Sequence, residues 1–341
     1  MSKNEFFFSI IMPMYNCETY IERAIESVCN QDYSNWELLI INDGSTDNSR
    51  EKCNKFIHDK RIQIIDKDNS GVSDSRNIGI FRSRGSFILF LDADDWLENN
   101  CLSCINMYLA NHKTDFFVFN YYECSQSSRS VARQINCSYS NLKDIIRFDL
   151  QQSQWKQRTW FGNLHTVWGK CFNADIIRNY KICFDCNLSI GEDMYFNLLY
   201  ILHCNALNYA NYYLYNHFDN SNSVMHTLRW NGLSQSNYYF DVVERIANQY
   251  VDESILFDFW LETAETDWKK IVFSNKSLSW KKSIFQRIFN DEKYQRFAKK
   301  GLNVKFKNRF YAFAIRNKFS LLLIVFTYLR YTKQSFSQRG R

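Results

Sequence analysis

The stretch Ser86–Trp96, SFILFLDADDW, decides how this chain is read. Five apolar residues in a row, Phe87 to Leu91, fit a strand buried on both faces, as in a parallel sheet. The strand runs straight into three carboxylates, Asp92, Asp94 and Asp95. In an open α/β sheet, ligands bind in the crevice beyond the carboxyl ends of the strands. Carboxylates this close repel one another unless a cation sits between them. Oxygen-only ligands on a short turn suit Mg2+ or Mn2+, ions that usually share their shell with substrate phosphates. The plainer reading is an N-cap, with Asp94 or Asp95 closing a helix that begins near Trp96. Three Asp in four positions exceed what one cap uses.

Outward from this stretch, strands and helices alternate. Phe6–Met14 reads as a first strand, nearly all apolar, and Pro13 near its end is the single proline of the chain. A proline fixes φ and removes a donor where the strand opens into a loop, so Pro13 is expected to shape the floor of a crevice. Asn16 is placed to cap a helix over Cys17–Gln31. Trp36–Ile41 is a second buried strand ending in Asn42-Asp43-Gly44-Ser45, where Ser45 can cap a helix over Thr46–Ile57. A short strand at Arg61–Ile65, a loop at Asn69-Ser70-Gly71, and a helix at Ser73–Ser83 lead to Ser86–Leu91. A helix to about Ala110 and a strand at Phe116–Tyr122 follow. This alternation predicts βαβ units and a mostly parallel central sheet flanked by helices. Asp43 and the acidic cluster would converge on one rim.

From Glu123 to Gln157 the pattern dissolves into Ser, Gln and Asn, as at a loop or boundary. Order resumes at Thr166–Phe172. Gly191-Glu192-Asp193 opens a helix over Met194–His203, and Leu207–Tyr215 reads as a strand. Beyond Leu228 the chain is mostly helical and aromatic. The domains expected are residues 1–125 for a nucleotide-binding half, 126–227 for the half that completes the fold, and 228–341 for a helical, basic extension.

Charged residues make up 23% of the chain and hydrophobic ones 45%, which excludes intrinsic disorder. From Lys293 to Arg341 there are thirteen Lys and Arg and no Asp or Glu, so a basic tail follows a mildly acidic body. A tail of this kind calls for an anionic partner. Its Lys and Arg are interleaved with Phe, Tyr and Leu, which suits an anionic membrane surface. A helix packed on the body with a solvated basic face is the alternative. Nucleic acid uses similar chemistry, but nothing in the first half calls for it. No apolar run reaches the ~18 residues of a membrane span, and the first residues do not read as a signal peptide. The expected location is therefore the cytoplasm, peripheral on the inner membrane. Eleven scattered cysteines fit reduced thiols there. Cys101-x-x-Cys104 and Cys183-x-x-Cys186 read as buried free thiols ahead of a zinc site.

No G-x-G-x-x-G follows the first strand, and no G-x-x-x-x-G-K-[ST] occurs anywhere, so dinucleotide and P-loop readings lose their support. Four linked segments, SIIMPMYNCETYIERAIESVCNQ, WELLIINDGSTDNS, NSGVSDSRNIGI and GSFILFLDADDW, together resemble an inverting family 2 glycosyltransferase of the GT-A fold. WGKCF followed by IGEDMYF resembles the family's bacterial polysaccharide and lipopolysaccharide branch. The resemblance implies roles for particular positions. Pro13, Tyr15 and Asn16 would frame the base and ribose of a nucleoside diphosphate sugar. Asp43 would accept an imide N–H from the base, usually uracil. Arg76 would lie near the base and phosphates. Asp92 would contact ribose or metal, and Asp94 the Mn2+ or Mg2+ that bridges the diphosphate. Asp193 would be the general base, with Glu192 beside it.

Inversion needs a carboxylate opposite the leaving group to take the acceptor's proton. A helix N-terminus would keep Asp193 ionised; the plainer role for Glu192 and Asp193 is to decorate a helix's first turn. One departure stands out. Family members often carry Arg where this chain has Asn216, with Ser221 and Ser223 beyond; His217 or His226 is a candidate to supply a metal ligand or phosphate donor in its place, the plainer role for a lone His being structural. The implied activity is metal-dependent transfer of a hexose or N-acetylhexosamine, from a nucleoside diphosphate sugar, UDP-linked by the resemblance, to a glycan or lipid-linked glycan. A nucleotidyltransferase would carry a Gly-rich basic loop at Met12–Cys17, where there is none. A catalytically dead binding module would be expected to lose Asp94 or Asp193, and both are present.

Overall fold

The computed structural model describes residues 5–131, 146, 150, 165–220, 232–300 and 306–338. The chain divides into two compact units, Met1–Leu142 with Arg158–Ser223, and Lys143–Gln157 with Val224–Arg341.

The first unit is built on one sheet. Its strands among the described residues are β1 (Phe8–Met14), β2 (Trp36–Asp43), β3 (Ile62–Lys67), β4 (Phe87–Phe90), β5 (Trp96–Leu97), β6 (Phe116–Cys124), β7 (Arg129–Val131), β8 (Lys170–Asn173) and β9 (Leu207–Phe218). The order across the sheet is β3-β2-β1-β4-β8-β6-β9-β5, with β7 hanging from β6. The first four strands are parallel. β8 enters antiparallel between β4 and β6, while β6 and β9 run parallel. Helices α1 (Ile21–Cys29), α2 (Ser49–Lys52) and α3 (Val72–Arg82) make the crossovers, and α2 runs on into a tight turn at Cys53–Phe56. α4 (Cys101–Asn111), α5 (Ala174–Asn179) and α6 (Glu192–Ile201) complete the unit. Every residue of β2 is buried, because helices cover both faces of the parallel half.

One close helix–sheet approach uses a glycine. A Cβ on Gly79 of α3 would stand 2.3 Å from Cγ2 of Ile11, a fully buried residue of β1. Gly79→Ala is therefore expected to cost about 1–3 kcal/mol through overpacking. Chemical denaturation should report a lower midpoint with an unchanged slope.

Several sequence expectations shift. The helix expected at Cys17–Gln31 starts at Ile21, and Asn16 does not cap it. Asn16 takes a left-handed φ of 47° and accepts the Thr46 amide instead. The Thr46–Ile57 helix begins at Ser49, because Ser45 is spent accepting the Asn16 amide. No helix starts near Trp96. Trp96 and Leu97 pair with Asn216 and Tyr215 of β9, so the next helix waits until Cys101, and the capping role for Asp94 or Asp95 is overturned. β6 and β9 run past their expected ends, to Cys124 and Phe218, because they pair with each other along their whole length. Most of the loop expected at Glu123–Gln157 lies outside the described residues.

In the second unit, helices α7 (Leu233–Ala247), α8 (Glu253–Phe273), α9 (Leu278–Asn290), α10 (Glu292–Lys300), α11 (Phe306–Arg316) and α12 (Ser320–Gln338) form an all-helical body. Its core is aromatic: Trp268 packs at 5.0 Å from Tyr311, and Trp260 at 4.7 Å from Tyr294. A half-buried ion pair joins α8 and α12, with Arg330 donating to both oxygens of Glu265 at 3.0 Å and to the Tyr311 hydroxyl at 2.9 Å. No helix among the described residues is long and apolar enough to cross a membrane.

Candidate active site

The carboxyl ends of β1, β2 and β4 open on one rim, and the loops leaving them are tied together. Pro13 is half-buried beside Ile41 of β2, and Tyr15 is exposed. Asn16 holds the Ser45–Thr46 loop through the two bonds given above. Glu18 donates its amide to Asp47 at 3.0 Å and accepts the Asn48 amide at 2.9 Å.

Asp43 closes β2 and is buried. Its two oxygens accept the amides of Ser70 and Gly71 at 2.8 and 2.9 Å, and Lys67 pairs with one of them. The strand register sets Lys67 directly across from Asp43. Gly44 turns the chain with φ of 68°, where a Cβ would stand 2.9 Å from the Asn69 amide nitrogen. Asp43 therefore fastens the Asn69–Gly71 loop first. Each of its oxygens has a second lone pair, which leaves room for one more donor at Oδ2.

The centre of the site is Arg76. It comes from α3, is buried, and reaches three carboxylates. It donates to Asp193 Oδ1 at 2.7 Å and to Asp92 Oδ1 at 3.1 Å, and lies 3.5 Å from Glu192 Oε1. The Phe184 ring lies 5.3 Å from the guanidinium. Burial works against the charge on Arg76, but Asp193, Asp92 and Glu192 outweigh it and hold the guanidinium above its ordinary value.

The converse does not hold for Asp193. One guanidinium is divided among three carboxylates, so none is fully compensated. Burial pushes the Asp193 carboxyl up to about 7; Glu192 and Asp92 add to the rise, and Arg76 and Lys170 oppose it. This corrects the expectation that a helix N-terminus would simply keep the group ionised. Asp193 does sit in the first turn of α6, behind Gly191 with φ of 84°, but desolvation is the larger effect. Its second oxygen accepts the Val167 amide at 3.2 Å, which fixes the carboxylate against the Thr166–Gly169 loop. Asn197 and Lys170 hold that loop through the Thr166 carbonyl, both at 2.7 Å.

The acidic turn divides its labour. Asp95 is buried and fully engaged, accepting the Tyr215 hydroxyl at 2.6 Å and the Phe218 amide at 2.7 Å. It anchors the turn to β9, and burial raises its pKa well above the carboxylate range. Asp92 is more open, with a side chain 30% exposed. Asp94 accepts Asn220 at 3.2 Å. Burial and the neighbouring Asp92 raise its pKa, while Asn220 and His217 lower it. The two groups with oxygens to spare are thus Asp92 and Asp94, hard donors of the kind Mg2+ or Mn2+ takes. Among the described residues, no cluster of three or more His, Cys, Asp and Glu is set to hold a metal.

His217 is half-buried and stacks on Trp168 at 5.1 Å, beside Tyr215 at 5.0 Å from the same indole. Asn216, one residue before, is buried in the sheet and donates to Glu98 at 2.7 Å. Ser221, Ser223 and His226 lie outside the described residues. Arg23 of α1 is a participant the sequence reading passed over. It donates to the Asp94 carbonyl at 2.6 Å from a box of aromatic rings, with Trp96 at 3.8 Å and Phe218 at 4.8 Å. Its Nε is buried with no partner among the described residues. Nothing in the spacing of α1 marks Arg23, since its partners come from β5 and β9. Lys67 was legible in principle, from the β2–β3 register.

Residues 9–173 match the model of glycosyl transferase family 2. Glycosyltransferase GlyA of Streptococcus pneumoniae serotype 4 is 31% identical over 61% of this chain and 30% of its own length. The Escherichia coli protein WfgD, named as a UDP-Glc:alpha-D-GlcNAc-diphosphoundecaprenol beta-1,3-glucosyltransferase, is 38% identical over 38% of this chain and 51% of its own. This chain thus spans less than two thirds of the length of these curated relatives. The crystal structure of S. aureus TarS 1-349 in complex with UDP-GlcNAc superposes with a TM-score of 0.63 at 17% identity, over 97% of this chain and 92% of that one. At that identity the likeness is one of fold: a mixed α/β sheet flanked by helices, with a helical C-terminal region.

Proposed function

We propose that the protein is a metal-dependent inverting glycosyltransferase that moves a hexose or N-acetylhexosamine from a UDP-linked sugar to a hydroxyl of a glycan or lipid-linked glycan. The observation that carries the reading is the Arg76 cluster: a buried carboxylate with a pKa near neutrality is tied through one guanidinium to the acidic turn. Asp193 takes the proton of the acceptor hydroxyl as its oxygen bonds to the anomeric carbon. The bond from that carbon to the diphosphate breaks, and the nucleoside diphosphate leaves with the electron pair. From an α-linked donor the product is β-linked. Asp92 and Asp94 would hold Mn2+ or Mg2+, which would supply positive charge against the leaving diphosphate. Asp43, Pro13, Tyr15 and Asn16 line the rim where the base and ribose would rest. The acceptor named for WfgD supports a lipid-linked glycan; the setting that would suit such an acceptor is the cytoplasmic face of the inner membrane, in surface polysaccharide synthesis.

Isothermal titration with UDP tests the donor assignment. Wild type is expected to bind UDP with Mn2+ present and to lose at least tenfold in affinity when EDTA removes the ion. Asp94→Asn should bind weakly in both conditions. Equal binding in all cases would sink the metal site. Arg23→Gln probes the support beneath Asp94. Loosening a group that orients a ligand typically costs 10–100-fold in metal affinity, so the Mn2+ needed for half-maximal UDP binding should rise about tenfold with UDP affinity at saturating metal unchanged.

A further inference from the structure

We propose that the α8–α9–α12 face of the second unit is a docking surface for an anionic lipid bilayer. α12 has two faces. Leu323, Ile324 and Thr327 are buried against the helical body, whereas Leu321, Leu322, Val325, Tyr328 and Leu329 are each 40–52% exposed. The exposed set recurs at helical spacing along one side. It continues into Leu278 of α9, also 52% exposed, across an open groove of about 260 Å3 lined by Val272, Lys281 and Ile324. Exposed apolar surface this continuous marks a binding face.

The charge around it selects the partner. The end of α8, the connection after it and α9 carry Lys269, Lys270, Lys276, Lys281, Lys282 and Arg287, with no Asp or Glu between Trp268 and Asn290. The sequence from Lys293 onward has no Asp or Glu either. An apolar stripe with Lys281 lining its groove and Lys269 over the Tyr331 ring of α12 matches acyl chains beneath an anionic headgroup layer. A second copy of the same surface would bring like charges together. Arg330 takes no part, being spent on Glu265. α12 would lie in the plane of the interface, consistent with a helix too polar to span. This names the membrane contact of the proposed transferase and rests on that reading only for its purpose.

The test is co-sedimentation of the full chain with vesicles of phosphatidylcholine alone or with 30% phosphatidylglycerol (about a third anionic). Binding is expected only to the anionic vesicles. The triple variant Leu322→Gln/Val325→Gln/Leu329→Gln should reduce it at least tenfold, and Lys281→Gln/Lys282→Gln about threefold or more. UDP affinity measured on the same preparations should not change, which separates failure of this surface from failure of the transferase reading. The proposal is overturned if wild type ignores anionic vesicles or if the triple variant binds as well as wild type. It is equally overturned if light scattering finds a wild-type dimer that the triple variant dissolves, since a second copy would then cover the face.

Discussion

Asp193→Asn is expected to lower kcat by about 10^2–10^4-fold, the usual worth of a positioned general base, while the donor KM changes by less than about threefold. The substitution keeps the size of the side chain and an oxygen for the Val167 amide, but it cannot accept a proton from a hydroxyl. The pH dependence gives the sharper check. Burial raises the Asp193 pKa to about 7, so the group is protonated and inactive below that value. In wild type, kcat/KM should therefore rise with pH and reach half its plateau near 7. The variant's residual rate should lack that limb. A limb near 4 in wild type would mean that the carboxylate is compensated far better than the geometry indicates.

Arg76→Gln has the second large effect, and it acts on both stability and rate. Removing one partner of a buried ion pair typically costs about 3–5 kcal/mol, because the other charge is left uncompensated. Here three carboxylates lose their shared cation. Thermal unfolding should shift down by several degrees. Arg76 also opposes the rise in the Asp193 pKa, so its loss should carry the acid limb of kcat/KM above 7. Arg76→Lys restores the charge without the planar fork that reaches Asp193 and Asp92 at once. It should recover most of the stability and return the limb toward 7. A purely structural Arg76 would lower the unfolding temperature in the Gln variant and leave the limb where it was.

The parallel half of the fold was legible because its strands are buried on both faces. Runs such as WELLII and FILFL admit few other readings, and each ends in polar residues that must face the rim. The sequence also separates Arg76, Asp92 and Asp193 by whole elements, and only the fold carries them into one cluster. What escaped notice depends on strands that meet late in the chain. The engagement of Asp95 comes from Tyr215 and Phe218, more than a hundred residues away. The same pairing of β5 with β9 removes the helix expected near Trp96. Arg23 escaped for a related reason, since its aromatic box is assembled from α1, β5 and β9. The elevated Asp193 pKa follows from burial, a property that a first-turn carboxylate does not announce in sequence. In the second unit the aromatic content was plain, but which side of α12 faces out required the packing of its other side.

The measurement that bears most directly on the proposed activity is release of UDP from UDP-linked sugars, followed in the presence of Mn2+ for wild type, Asp94→Asn and Asp193→Asn. Slow transfer to water suffices, so no acceptor need be known. Wild type should release UDP from at least one such sugar, only with the metal present, and both variants should fall by about a hundredfold or more. Tight UDP binding with no release from any sugar, or release that both substitutions leave intact, would contradict a transferase built on Asp94 and Asp193.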